Sequence, residues 1–242
     1  MTKKLHLLVI YFLSEAVFAG NIPTRQHEKV QALVEARTFY IRNKTQYFAE
    51  VKFSEWEESQ AFQSARLGLR RSLSRNFKIG LFYQRSYGLR HDNDWIKESA
   101  WHWLDRKTQG QDSFLTDFTY KNLINDRMTY EVRLTYEKNF TVGRGFIKPR
   151  IGISYFLTKS HFTLMEELSI PMETRSSAIQ EYWTYFTYSY HYSNNVSFGP
   201  LLANRIVNWE SSEDFKNRLN TTYQFKENIW YAGAQLVYHF GD

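Results

Sequence analysis

Of the residues able to do chemistry, the string His191-Tyr192-Ser193-Asn194 comes first. A histidine beside a serine can act as its general base when an acid orients the imidazole. Residues i and i+2 of a strand share a face, so His191 and Ser193 could meet. The same string reads as a tight turn, where Ser and Asn are favoured for backbone reasons, and no acid stands at close spacing. A second grouping, His91, Asp92, Asp94, Glu98 and His102, carries metal-type donors. It lies in a polar connector and reads as loop polarity, so no metal site and no cofactor are expected. Its neighbours Trp95, Trp101 and Trp103 suit an aromatic girdle or a sugar-stacking platform. His27, His161 and His239 show no partner in the sequence.

The third grouping is spread along the chain. Arg37, Lys52, Arg66, Arg70, Lys78, Lys121, Arg133, Lys148, Arg150 and Arg218 recur on one side of an alternating pattern, together with Glu35, Glu50, Asp117, Glu131 and Glu181. A basic cavity with low-dielectric walls concentrates anions, and arginine clamps carboxylates and phosphates in bidentate fashion. Arg66, Arg70, Lys78, Arg133, Lys148 and Arg150 are therefore the candidate anion-binding residues. The competing reading is that these charges pair across strands, as Glu131 and Arg133 could, and fill the space they face.

What must position these residues is a set of strands. The hydrophobic period is two nearly everywhere. In 128–136, Met128, Tyr130, Val132, Leu134 and Tyr136 alternate with Thr129, Glu131, Arg133 and Thr135. The same alternation runs through 30–40, 45–53, 64–73, 77–87, 113–120, 146–157, 181–192, 196–206, 218–225 and 229–240. Segment 95–104 alternates less well, and 160–170 reads as a strand, a loop or a short helix. Most segments have the length that a tilted strand needs to cross a bilayer. Short polar turns separate them at 73–76, 123–126, 192–195 and 226–228, and longer charged connectors fill 54–60, 89–94, 104–112 and 208–217.

Composition agrees with strands. The chain is 18% aromatic with few prolines, which argues against disorder and suits pleated surfaces. It has no cysteine, hence no disulfide and no thiolate metal site. Residues 1–19 have a basic start, a short apolar run and a small-residue end with Val17 and Ala19, the pattern of a cleaved secretory signal. The net charge is +6, about +5 without that leader, and no nucleic-acid motif accompanies it. Residues 20–242 show no composition break and read as one domain.

A soluble sandwich also alternates, but its inward apolar face tolerates few bulky phenols. Here Tyr, Phe and Trp recur near strand ends, where they suit a bilayer interface, and the polar face suits a watery interior. In a bilayer such strands must close on themselves. The expectation is an all-β transmembrane antiparallel barrel of about 12 strands, with 10–14 open and an even number favoured. Segment 226–228 is in conflict with this, because as a short periplasmic turn it would send the last strand the wrong way.

Four resemblances add to this reading. The end of the chain, with Gly233, Leu236, Tyr238 and Phe240, resembles the C-terminal insertion signal of Gram-negative outer-membrane barrels, with Gly241 and Asp242 following the Phe. The chain as a whole resembles uncharacterised proteobacterial barrel families, and its arginine-bearing inner face resembles small monomeric porins for acidic oligosaccharides. The His191/Ser193 string resembles the short motif of outer-membrane acyl hydrolases such as lipid A deacylases. The first three imply export to the cell outer membrane, contact with its lipid and lipopolysaccharide, and a non-enzymatic channel or structural barrel for small anionic solutes. The last implies a lipid hydrolase using His191 and Ser193. A further alternative is a closed barrel whose extracellular loops bind a partner.

Overall fold

The computed structural model describes residues 25–54, 63–87, 110–141, 143–172, 181–210 and 224–240. They form eleven strands and, among the described residues, no helix. In chain order these are β1 (Arg25–Arg42), β2 (Thr45–Ser54), β3 (Gln63–Ser72), β4 (Phe77–Tyr87), β5 (Gln111–Asn125), β6 (Met128–Asn139), β7 (Gly145–Phe156), β8 (Ser160–Pro171), β9 (Glu181–His191), β10 (Val196–Glu210) and β11 (Gln224–Phe240). Each strand pairs with its sequence neighbours, and β1 pairs with β11, so the sheet closes into a barrel. The expected leader, segment 95–104 and Arg218 lie outside the described residues, as do His91, Asp92, Asp94, Glu98 and His102.

Eleven strands fall within the expected range about twelve, but the number is odd where an even one was favoured. With eleven strands the first and last run the same way, so β1 and β11 pair in parallel, from Arg25↔Phe225 to Tyr40↔Phe240. All other pairs are antiparallel. The short segment 226–228 is not a turn. It continues β11 in backbone register with β10, where Lys226 pairs with Asn208 and Asn228 with Ile206. The last strand therefore ends beside the short turns, which removes the conflict. Segment 160–170 is a strand, β8.

The two ends of the barrel differ. At the turn end the connections are 43–44, 73–76, 126–127, 157–159 and 192–195. Asn43 and Lys44 both have positive φ, 48° and 66°, the backbone of a two-residue hairpin turn whose twist matches the strands it joins. At the other end, the loop end, longer stretches of sequence separate β2 from β3, β4 from β5, β8 from β9 and β10 from β11, while five residues separate β6 from β7.

The alternation maps onto the wall as expected. Val30, Val34, Phe53, Leu67, Phe118, Val132, Leu134, Leu202 and Trp230 stand exposed on the outer face. Arg133, Thr135 and Glu137 of β6 point inward, between the exposed Val132, Leu134 and Tyr136. The interior is not uniformly polar. Leu33, Trp183, Tyr185, Leu201, Ala203, Ile229 and Tyr231 form an apolar cluster on the inner wall of β9, β10, β11 and β1. Trp183 stacks on Tyr185 and on Tyr231, with centroids 5.1 Å and 5.5 Å apart. On the opposite wall Phe82 lies across Gly68 and Gly80, where any Cβ would collide with its ring.

Candidate functional site

The inner wall holds the densest collection of charged side chains among the described residues, and the strands set it level by level. Glu35 faces Lys52 across the β1–β2 ladder, and Arg37 faces Glu50 two residues nearer the turn end. Lys52 Nζ is 3.1 Å from Glu35 and 3.9 Å from Glu50. Arg37 donates to Glu50 at 3.1 Å and also pairs with Glu35. Glu35 has no solvent exposure, so its charge rests on these two cations.

The candidate anion-binding residues are placed as follows. Arg70 forms a bidentate pair with Asp117, two strands away. Arg133 reaches Glu131 at 2.6 Å, Asp117 at 3.8 Å and Thr119 Oγ1 at 3.2 Å. Lys148 pairs with Glu137, and Arg150 with Glu167 at 2.7 Å. Arg66 donates through Nε and Nη2 to Gln84 Oε1, at 2.9 Å and 2.6 Å. Lys78, at the turn end, is half-buried; like Arg66 it has no carboxylate within ion-pair distance among the described residues, and it lies near Arg70, Lys121, Arg133 and Glu131.

Among the described residues, three inward charges were missed from the sequence: Glu137, Glu167 and Arg205. Arg205 is 3% exposed, pairs with Glu181, and lies over the Trp183 ring. Two acids and one base move the inner balance toward neutrality. The parity of Glu137 could have revealed it, since it continues the Glu131–Arg133 face. Arg205 follows Leu201, Leu202 and Ala203, apolar on both faces, where alternation loses its phase.

One contact spans the space between the walls. Lys52 of β2 places its ammonium 5.0 Å from the Tyr185 ring centroid on β9. Strands β2 and β9 are separated around the wall by β1, β11 and β10, so this cation–π contact crosses the lumen. Lys52 is 7% exposed and Tyr185 is 5% exposed.

The histidine and serine of the turn string are engaged separately. Ser193 Oγ accepts backbone N–H bonds from Asn195 and Val196, at 3.3 Å and 3.1 Å, as a turn cap. His191 Nε2 instead meets His161 Nδ1 at 3.0 Å. The two rings lie 27° from parallel with centroids 5.0 Å apart. His239 stacks on Phe39 with centroids 4.9 Å apart. His161 and His239 thus have partners the sequence did not reveal. No group of three or more metal-type ligands converges among the described residues.

The outer face carries a polar interruption. Glu166 of β8 faces outward near Tyr182 and beside Thr184 of β9, which is in register with Asn204 of β10. Asn204 donates to Asn228 at 2.6 Å.

No family model matches the chain, and no curated protein matches it.

Proposed function

We propose that this chain is a β-barrel of the bacterial outer membrane with a lumen closed by paired charge, serving as a structural barrel and not as a catalyst. The observation that carries this reading is the Lys52–Tyr185 contact across the lumen, with Glu35, Glu50 and Arg37 packed around it. A solute passing at that height must break ion pairs already out of water, which costs on the order of several kcal/mol. The exposed apolar belt supports membrane insertion, because soluble monomers rarely expose so much contiguous apolar surface. The leader-like residues 1–19 and a last strand ending in Phe240 beside the short turns support the outer membrane.

A second reading, entry of small anions into the turn-end mouth, is favoured by Lys78. That lysine lies near Arg70, Lys121 and Arg133 as well as Glu131, and has no ion-pair partner among the described residues. Anions would dock there without crossing.

Proteoliposome swelling tests the closed-lumen reading. Vesicles holding the refolded barrel are expected to swell in isotonic sugar or gluconate no faster than empty vesicles. Rapid swelling in either solute contradicts the proposal, and rapid swelling in gluconate alone favours an anion channel.

A further inference from the structure

The turn end carries charge that nothing described in the barrel neutralises. Arg42, Lys44, Arg71, Arg75, Arg127 and Lys159 are all exposed there, in and beside four consecutive turns from β1 to β8, and Asp126 is the one acid among these described turn residues. None of the six bases makes an ion pair among the described residues.

Two of these bases point out of the wall in register. Arg42 pairs with Thr45, and Thr45 pairs with Arg71. On three adjacent strands this sets guanidinium, hydroxyl and guanidinium in one row of the outer face. The outer strands of that row are about 10 Å apart, twice the spacing between neighbours, so two arginines can converge on an anion between them. Lys44 stands in the adjoining turn, holding a positive φ of 66° that glycine would adopt more easily.

The next outward row is aromatic. Tyr40 pairs with Tyr47, their rings 5.8 Å apart, and Phe240 stacks on Tyr40 at 5.1 Å. Tyr47 in turn pairs with Leu69. Amphipathic rings of this kind sit at headgroup level, and basic residues just beyond the apolar zone attract anionic lipid.

From this row we infer a phospholipid site: Arg42, Thr45 and Arg71 hold the phosphate of an acidic phospholipid, Lys44 adds charge above it, and the acyl chains lie along Phe240, Tyr47 and Leu69. An acidic headgroup suits three cations with no acid partner among the described residues. A zwitterionic one would bring its own ammonium into them. This inference rests on the membrane reading above.

The test refolds the barrel into vesicles of phosphatidylcholine holding a minority of phosphatidylglycerol, extracts it gently and measures retained lipid by native mass spectrometry. Wild type is expected to retain phosphatidylglycerol enriched several-fold over the bulk ratio. R42Q/R71Q is expected to fall to the bulk ratio, and Arg85→Gln, at the loop end, to match wild type. A bulk ratio in wild type, enrichment that survives R42Q/R71Q, or its loss in Arg85→Gln overturns the site. Should R42Q/R71Q fail to fold, Lys44→Gly is the second variant. It relieves the turn, keeps the fold and must still lower the enrichment, and an unchanged value overturns the site. Protease protection in pure phosphatidylcholine separates the two readings. Insertion without enrichment overturns the lipid site alone, and failure to insert overturns the membrane reading with it.

Discussion

Glu35 shows how single residues hold the interior. Its carboxylate is out of water and is balanced by Arg37 and Lys52, so removing its charge leaves buried cations short of a partner. Breaking a buried pair on one side is far more costly than replacing both partners with apolar groups. Glu35→Gln is expected to lower stability by about 3 kcal/mol, read by urea unfolding in lipid vesicles. The double change Glu35→Leu with Lys52→Met should cost clearly less. Equal losses would mean that packing, not charge, sets the cost. At this scale the sequence was informative where alternation was clean. Glu35, Lys52, Arg133 and Arg150 stand on strands whose opposite face is apolar, so their inward direction could be read. The Arg70–Asp117 and Lys52–Tyr185 contacts could not be read, because they join strands that are not adjacent, and only the closed barrel sets those distances.

At the scale of elements, β8 shows why parts of the wall were illegible. Glu166 and Glu167 are consecutive, so one must face each way: Glu167 pairs with Arg150 inside, while Glu166 faces outward. A charge on each face erases the period of two. Strands β10 and β11 were legible as strands at 196–206 and 229–240, but their inward face was not, since Leu201, Ala203, Ile229 and Tyr231 pack inside while Leu202 and Trp230 face out. The turn-like 226–228 misled for a related reason: β11 continues through a polar stretch that alternation cannot see. On the membrane reading proposed above, the outward carboxylate of Glu166 would face lipid, which is unfavourable, so Glu166→Leu is expected to raise stability in vesicles by about 1 kcal/mol, measured by urea unfolding. A loss of stability instead would mean that the barrel requires the polar contact of Glu166 with Tyr182.

For the whole molecule, closure was legible and parity was not. Alternating strands in a bilayer must close, but the number needed to close is not written in any one segment. The eleventh strand makes β1 and β11 parallel neighbours, with Ala32 opposite Ala232 on the outer face. The chain has no cysteine, so the pair Ala32→Cys and Ala232→Cys is a clean probe. Mild oxidation is expected to form the disulfide, seen as a mobility shift on a denaturing gel reversed by reductant, and no cross-link would argue against the parallel seam. A lumen closed by its own charges passes no ions. Single-channel recording in a planar bilayer is expected to show no stepwise conductance from the inserted wild-type barrel, and discrete, anion-selective steps would overturn the closed lumen.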